Sequence, residues 1–355
     1  MGKVCSFRKG YGIAKDDLSS GGTPCILYGE LYTTYKTAIA KTIKSKTSIQ
    51  SKSLVYSQKD DVIIPCSGET AEDIATSICV PYDGILLGGD LTIVHSDLDG
   101  AFLSNQINSV RKFDIARIAQ GKSIVHLQAD ELKKIFIFYP SIQEQRKISA
   151  FIDKIDKRIE IQNKIIEDLK VLKKELNYSL IGRIINGKSS NCKIEDVIDY
   201  EQPTNYIVKS DKYIENGETP VLTANKAFLL GYTIENEGVY NKSDCIILDD
   251  FTLDFKYVNF PFKIKSSAIK ILTAKKDIEL RYFYEYLLFL GLTSHEHKRH
   301  YISEIAPLPL YLPSIDEQRS ALSALNSISE KIKVEENYII ALKAQKCFFL
   351  RTMFI

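Results

Sequence analysis

Several classes of protein are made improbable by what this sequence lacks. No apolar run reaches the roughly 18 residues that a membrane-spanning helix needs, so no membrane partner is expected. The first residues lack the apolar core of a secretory signal peptide. The seven cysteines are dispersed without a CxxC pair, which predicts reduced thiols and a cytoplasmic location. The net charge of +2 neither requires nor excludes a nucleic-acid partner.

Motifs for catalysis are missing as well. The chain has no GxSxG or HExxH motif, and no DxD pair stands in a suitable setting. The (Asn/Asp)-Pro-Pro-(Tyr/Phe) tetrapeptide of methyltransferases is absent, as is a glycine-rich cofactor turn after a strand. The sequence therefore predicts a protein that catalyses no reaction by itself.

The most informative feature that is present is a repeated helical stretch. One copy begins P-S-I-Q-E-Q-R at Pro140 and the other P-S-I-D-E-Q-R at Pro313, and the two align without a gap at an offset of 173 residues. Apolar residues recur in both at alternating steps of three and four, the pattern of a coiled-coil seam. The seam positions are Ile148, Ile152, Ile155, Ile159, Ile166, Leu169, Leu176 and Leu180, and then Ala321, Leu325, Ile328, Ile332, Ile339, Leu342, Phe349 and Met353.

The interruptions of the seam agree between the copies too. Gln162 matches Glu335, and Lys173 matches Lys346. Shared polar positions fix the register of a coiled coil, so the two helices are predicted to pair with each other, in antiparallel order. Neither copy contains Gly or Pro within the seam, and each would extend about 60 Å. That length is more than one domain needs and is typical of a spacer.

The repeat predicts the architecture of the chain, a pseudo-twofold internal repeat of two similar halves. Alternating short strands and helices in the globular parts indicate an α/β (α+β) fold. The predicted boundaries are 1–140 and 188–313 for the globular domains, and 141–187 and 314–355 for the helices. The helices match closely whereas the globular parts have diverged, so we expect two modules that bind different targets at a fixed separation.

Local patterns give the expected elements of the first globular part. Val62–Pro65 is predicted to be a strand, followed by a turn and a short helix. Gly84–Val94 is predicted to be two strands around a Gly-Gly-Asp turn, with a helix between Asp97 and Val110. A shared Thr-Pro pair, at Thr23 and Thr219, aligns the two globular parts.

The segment from Leu31 to Lys59 is strongly basic, with six lysines and no acidic residue. Thr, Ser and Tyr fill most of the gaps, and cations with hydroxyl donors are the groups that contact phosphate oxygens. A solvated lysine-rich loop explains the same composition, and both interpretations stay open. The candidate contacts in this segment are Tyr32, Lys36, Lys41, Lys44, Lys46 and Lys52.

Two short motifs suggest other chemistry. Residues 182–189 satisfy the GxxxxGK[ST] pattern of a phosphate loop, but that loop needs a strand before it and a helix after it. A helix end capped by Asn186 and Gly187 explains the same residues. Three of the five histidines fall between His295 and His300, a spacing unusual for zinc. We favour a cationic loop that could contact phosphates or base edges, with Lys298, Arg299 and Tyr301.

Taken together, these residues resemble the specificity subunits of type I restriction–modification systems over nearly the whole chain. The resemblance is carried by both P-S-I-x-E-Q-R starts and by the R-I-I-N-G-K-S end of the first helix. The first globular part adds Y-G-E-L-Y-T-T-Y, S-G-E-T-A-E-D-I-A, G-G-D-L-T-I-V and A-Q-G-K-S-I-V-H-L, and the second adds T-P-V-L-T-A-N-K-A-F-L-L-G-Y-T. Two features depart from the family pattern. The second helix lacks the Gly-Lys tail, and the segment before the first recognition domain is short.

The resemblance implies a non-catalytic subunit with two target-recognition domains, each binding half of a split, asymmetric site in double-stranded DNA. The antiparallel helices would set the spacer and dock two methyltransferase (modification) subunits, and restriction/translocase subunits would complete the enzyme. S-adenosylmethionine, ATP and Mg would bind to those partners and not to this chain. Asn225 and Lys226, within the phrase of the second domain, are further candidate DNA contacts.

Three other functions stay open at this point. One is the recognition subunit of a type IIB/IIG-like restriction–methylation enzyme. Another is a coiled-coil scaffold, which predicts no salt-dependent DNA binding, and a third is a P-loop enzyme, which predicts nucleotide binding by the isolated chain. The DNA sequence recognised does not follow from the residues, because base readout depends on loop geometry.

Overall fold

The computed structural model describes residues 1–121, 124–225, 227–294 and 298–354. Contacts divide the chain into two compact units, the first formed by Met1–Lys164 with Glu336–Ile355 and the second by Ile165–Glu335. Each unit contains a globular part and a segment of both long helices. Among the described residues, no helix is long and apolar enough to cross a membrane.

The first unit is built on short strands and short helices. Its strands are β1 (Cys5–Lys9), β2 (Leu18–Ile26), β3 (Ser45–Thr47), β4 (Asp61–Pro65), β5 (Ser67–Gly68), β6 (Ile78–Val80), β7 (Leu86–Leu87), β8 (Leu91–Ser96) and β9 (Val125–His126). Its helices are α1 (Glu30–Thr33), α2 (Ala71–Ile74), α3 (Gly100–Asn108), α4 (Lys112–Ile118) and α5 (Ala129–Lys133), with a 3-10 helix at Lys15–Asp17.

These strands form an antiparallel sheet in the order β1-β8-β4-β6 and a mixed sheet in the order β3-β2-β7, while β5 pairs with β9. Strand β4 is buried at every residue, as its apolar V-I-I run predicts, and it lies inside the four-stranded sheet. The strand, the short helix α2 and the helix α3 that the sequence predicts are confirmed.

The two strands predicted around the Gly-Gly-Asp turn are present, but they do not form a hairpin with each other. Strands β7 and β8 flank that turn, but they belong to different sheets, because β7 pairs in parallel with β2 whereas β8 pairs with β1 and β4. Asp90 in the turn has φ of 62°, a left-handed conformation in which the chain passes from one sheet to the other.

The second unit repeats this plan with different residues. Its strands are β10 (Cys192–Lys193), β11 (Ile198–Glu201), β12 (Thr219–Leu222), β13 (Leu229–Thr233), β14 (Cys245–Asp249), β15 (Phe255–Val258), β16 (Lys263–Ile264), β17 (Ile269–Ala274) and β18 (Pro309–Leu310). Its short helices are α7 (Ile194–Val197) and α8 (Leu280–Leu290), with a 3-10 helix at Pro203–Tyr206 and a π-helix at Tyr301–Ile305.

The two globular parts share their sheet topology. The antiparallel sheet β11-β17-β14-β15 corresponds to β1-β8-β4-β6, and the mixed sheet β13-β12-β16 corresponds to β3-β2-β7. The Thr-Pro pairs that align the sequences lie in β2 and β12, and each of these strands has one antiparallel and one parallel neighbour. The predicted α+β fold with an internal repeat is therefore confirmed.

The long helices are α6 (Ile142–Ile185) and α9 (Ile315–Met353). Both begin in the same way, because the serine that precedes each helix forms a capping box with the glutamate three residues later. The Ser141 N–H donates to the Glu144 carboxylate at 3.3 Å, and the Glu144 N–H donates to Ser141 Oγ at 3.4 Å. The corresponding distances between Ser314 and Glu317 are 2.9 Å and 3.4 Å. The repeated P-S-I-x-E-Q-R motif thus encodes a helix start.

Within each unit the two helix segments pack against each other in antiparallel order. In the first unit the Phe151 and Phe349 rings meet edge to face with centroids 4.9 Å apart, and Ile148 and Met353 line one groove. In the second unit Ile181 packs in one core with Ala321 and Leu322. All of the predicted seam positions are buried or half-buried, so the coiled-coil seam is confirmed.

The phosphate-loop alternative does not fit the structure. Helix α6 ends at Ile185, and Gly187 follows in the left-handed conformation with φ of 70°. The Lys188 N–H donates to the Ile185 carbonyl at 3.0 Å, which closes the end of the helix. The motif therefore begins within the last turn of a helix and is followed by an irregular segment, whereas phosphate binding requires a strand before the motif and a helix after it.

Candidate nucleic-acid interface

The basic segment of the first unit displays most of its lysines on the surface. Strand β3 pairs with β2, so its residues alternate between the two faces of the sheet. Thr47 is buried, whereas Lys44 and Lys46 are exposed on either side of Ser45. Lys36 and Lys52, outside the strand, are exposed as well. These lysines are therefore accessible to a phosphate backbone.

Lys41 has a different role. It is half-buried and forms a salt bridge with Asp153 of α6, which Lys157 also contacts at 3.0 Å. Burial alone would raise the pKa of the Asp153 carboxyl, but hydrogen bonds from the two lysines outweigh it and hold that pKa below its ordinary value. Lys41 thus attaches the basic segment to the long helix.

Three of the sequence motifs that carry the family resemblance contribute residues to the wall of one cavity of about 480 Å³ in the first unit. Tyr32 belongs to the motif Y-G-E-L-Y-T-T-Y, and its hydroxyl donates to the carbonyl of Ser67, in the motif S-G-E-T-A-E-D-I-A, at 2.7 Å. Glu69 and Asp73 add carboxylates to the wall, and Ile124 comes from the motif A-Q-G-K-S-I-V-H-L. Burial, with the nearby Asp73 charge, raises the pKa of Tyr32, so its phenol stays a neutral donor.

The candidate residues of the second unit lie in two places. Asn225 is exposed, and its side-chain oxygen accepts from the Ala227 N–H at 3.1 Å, which shapes a turn. Its neighbour Lys226 lies outside the described residues. Lys298 pairs with Glu304 at 2.9 Å, and the exposed Arg299 guanidinium lies 6.0 Å from the Phe251 ring centroid.

The expectation that Tyr301 contacts DNA is wrong. Tyr301 is only 1% exposed, its ring packs at 5.3 Å from that of Tyr200, and its N–H donates to buried Asp250 at 2.7 Å. Asp250 also pairs with buried Lys270 at 3.4 Å. Tyr301 therefore anchors the base of the segment that carries Lys298 and Arg299, and it has no surface with which to touch a ligand.

A zinc site receives no support from the histidine run. His300 is buried, with one ring nitrogen 2.8 Å from Glu304 and the other 2.6 Å from Ser294. His295 and His297 lie outside the described residues. Among the residues that are described, no group of three His, Cys, Asp or Glu side chains could hold a metal ion.

Comparison with known proteins finds a family model that is similar to the first part of the chain. A model of the type I restriction modification DNA specificity domain matches residues 1–171. The predicted resemblance to the specificity subunits of these systems is confirmed.

A curated relative of this specificity domain is the type I restriction enzyme EcoR124I/EcoR124II specificity subunit of Escherichia coli. It is 40% identical over 139 residues, which are 38% of this chain. The matched region spans about a third, 34%, of the length of that relative.

Solved structures share the fold over the whole chain. The S subunit of a type I restriction-modification system from M. genitalium superposes with a TM-score of 0.61 at 16% identity, covering 99% of this chain and 94% of that one. A chain from a structural study of complex assembly and conformational transition of the type I R-M system superposes with a TM-score of 0.59 at 16% identity. The superposition covers 99% of this chain and 95% of that one. At this identity the likeness concerns the fold.

One pair of residues has a role that the sequence motifs did not reveal. In the first repeat, Gln145 of α6 is buried, and its side-chain oxygen accepts from the Asp99 N–H at 2.9 Å. Gln318 occupies the same place in the second repeat and accepts from the Glu279 N–H at 2.8 Å. Their presence in both copies was a signal, since a capping box explains the serine and the glutamate of the motif but not the glutamine.

Proposed function

We propose that this chain is the DNA-recognition subunit of a type I restriction–modification system. It recognises a bipartite site, is itself non-catalytic, and directs adenine methylation and restriction by partner subunits. The observation that carries the proposal is the pairing of a specificity-domain match over residues 1–171 with a second globular part of the same topology. Two related recognition domains joined by long helices suit a DNA site that is made of two separated halves. The seven unpaired thiols favour a cytoplasmic location.

In this proposal residues 1–140 read the first half-site. The exposed lysines Lys36, Lys44, Lys46 and Lys52 contact phosphates, which attach the domain without specifying sequence. The neighbouring cavity has the opposite chemistry, because its carboxylates repel phosphate and accept hydrogen bonds from exocyclic amino groups of bases. Tyr32 supports the wall of this cavity through its bond to the Ser67 carbonyl.

Residues 188–313 read the second half-site. Asn225 offers an amide, the group that pairs in bidentate fashion with adenine, and Lys226 follows it in the chain. Lys298 and Arg299 supply cations from a segment that buried Asp250 holds in place. The two domains present different side chains on one topology, so they read different sequences.

The long helices offer equivalent positions to two copies of a partner. Ile161 on α6 is 60% exposed, and Val334, its counterpart in the repeat, is 57% exposed. Ile165 and its counterpart Tyr338 are also exposed. Matching apolar positions outside the seam suit two identical methyltransferase subunits. S-adenosylmethionine would bind to those subunits, and ATP and Mg to restriction/translocase subunits.

Methylome sequencing tests this function. A host that expresses the chain together with its methyltransferase partner should acquire adenine methylation at one split, asymmetric motif, and a host with either protein alone should not. A type IIB/IIG-like enzyme would cut DNA beside the motif without translocation. Absence of any new methylation, together with absence of salt-dependent DNA binding by the complex, would support the scaffold alternative and contradict the proposal.

A further inference from the structure

Each long helix is hydrogen-bonded, through one buried glutamine, to the first turn of a helix in its own globular part. In the first unit Gln145 is 2% exposed, and its side chain bridges two backbone groups. Its oxygen accepts from the Asp99 N–H at 2.9 Å, and its nitrogen donates to the Pro140 carbonyl at 2.9 Å. Asp99 is the N-cap of α3.

The second unit contains the same connection between a glutamine of a long helix and the N-cap of a shorter helix, and we call each of these connections a joint. Gln318 is 0% exposed, and its oxygen accepts from the N–H of Glu279, the N-cap of α8, at 2.8 Å. Its nitrogen donates to the Pro313 and Asp277 carbonyls, each at 3.0 Å. Both glutamines occupy the sixth position of the repeated P-S-I-x-E-Q-R motif.

These bonds fix an angle as well as a distance. An amide side chain that accepts from one backbone group and donates to another satisfies both only in a narrow range of orientations. Each joint also has a second bond: Ser149 Oγ donates to Asp99 at 2.6 Å, and Arg319 Nε donates to Glu279 at 2.8 Å. The start of α3 and the start of α8 are therefore held against α6 and α9 at two points each.

We propose that Gln145 and Gln318 are positioning residues that hold each recognition domain at one orientation on its helix. They thereby determine how strictly the protein discriminates the spacing between the two half-sites. This inference rests on the proposed function, and it assigns to these residues no contact with DNA.

The geometry of DNA explains why the joint should act on spacing. One additional base pair moves a half-site by about 3.4 Å and rotates it by about 35° around the duplex. A recognition domain that directional hydrogen bonds hold on its helix cannot match both the translation and the rotation of the half-site. A domain that packs only through apolar contacts can change its orientation. Loosening the joint should therefore admit sites with the wrong spacer while the bases read within each half stay the same.

The test compares complexes of the full chain with its methyltransferase partner. Gln145→Met and Gln318→Met keep the approximate side-chain volume and remove the hydrogen bonds, and Gln143→Met, at an exposed position on the same helix, is the matched control. Each complex is given duplexes that carry the half-sites found by methylome sequencing, with the cognate spacer or one base pair more or less. The measured quantity is the ratio of methylation rates on cognate and altered spacers.

We expect each glutamine variant to lower this ratio about five-fold, the factor that corresponds to one ordinary hydrogen bond, and the control to leave it unchanged. If rates fall equally on every duplex, or if the ratio stays as in the wild type, the residues are merely structural and the assignment is overturned. If a glutamine variant does not fold, Ser149→Ala removes the second bond of the first joint. It should shift the ratio in the same direction, and an unchanged ratio would again overturn the assignment.

The outcome separates the inference from the function on which it rests. A wild-type complex that modifies no specific sequence would refute the proposed function and with it the role of the joint. A wild-type complex that discriminates spacers no more strictly than the glutamine variants do would refute the joint alone.

Discussion

Asp156 on α6 and Lys346 on α9 form an ion pair, with 2.5 Å between Oδ1 and Nζ, at the seam of the long helices in the first unit. Lys346 is one of the two polar interruptions of the heptad pattern that occur in both copies of the repeat. Its partner is on the opposite helix, so this interruption fixes register as the pattern predicts. Its counterpart Lys173 instead reaches Glu285 of α8 at 2.8 Å, and so ties α6 to the globular part of the second unit.

Removing one partner of the Asp156–Lys346 pair should destabilise the protein. Asp156 is buried and Lys346 mostly so, and Lys346→Ala would leave the carboxylate without this partner. We expect a loss of about 2 kcal/mol in the free energy of unfolding, between the values for exposed and fully buried pairs. Urea denaturation measures it, with Lys343→Ala at an exposed position of α9 as the control. Equal stability of both variants would show that the pair contributes nothing.

A charge within the seam should be more damaging than the same charge outside it. Ile159→Lys and Ile332→Lys would place an ammonium group between packed helices, and we expect each to cost several kcal/mol. Ile161→Lys changes the same residue type at a position that is 60% exposed, so its effect should stay within about 0.5 kcal/mol. Thermal melting by circular dichroism compares the three. A melting temperature for Ile332→Lys equal to that of Ile161→Lys would disprove the seam assignment.

The exposed lysines of the basic segment should bind DNA without regard to sequence. Changing Lys36, Lys44, Lys46 and Lys52 to Gln should weaken binding equally on specific and non-specific duplexes. It should also reduce the slope of log K against log salt by about 0.9 for each phosphate that the protein no longer neutralises. Lys41→Gln is the control, because Lys41 is paired with Asp153. A slope that the four changes leave intact would mean that the segment is only a solvated loop.

The thiols should differ sharply in reactivity. Burial raises the pKa of Cys25 to about 11 and that of Cys245 to about 12, so neither forms appreciable thiolate at pH 8. Cys347 is exposed on α9. We expect iodoacetamide to modify Cys347 in the folded protein and to spare Cys25 and Cys245 until the protein is denatured. Peptide mass spectrometry gives the extent at each position, and rapid labelling of Cys245 in the folded protein would contradict its burial.

Much of the scaffold could be predicted from the sequence because it depends on periodicity. A seam such as Ile152–Ile155–Ile339–Leu342 follows from residue spacing alone, and a buried strand such as β4 follows from a short apolar run. The pairing of β7 could not be predicted in this way. Its partner β2 lies about sixty residues earlier in the chain, and a local Gly-Gly-Asp turn carries no information on that distant contact.

The candidate site was less predictable, because composition does not distinguish a lysine on the surface from one that pairs within the fold. Lys41 and Lys44 are equivalent in the sequence pattern, yet one pairs with Asp153 and the other is exposed. Tyr301 sits beside two cations in the sequence but points into the core. Tertiary contacts decide these cases, and short motifs do not encode them.

Above all, we propose that two separate domains of the protein read the two halves of one DNA site. Exchanging residues 190–312 for the equivalent segment of a relative with a different site tests it most directly. Methylome sequencing of a host that carries the hybrid and the methyltransferase partner should show one half-site replaced, the other retained and the spacer unchanged. If both half-sites change together, recognition comes from one composite surface, and the proposal of two separate recognition domains is wrong.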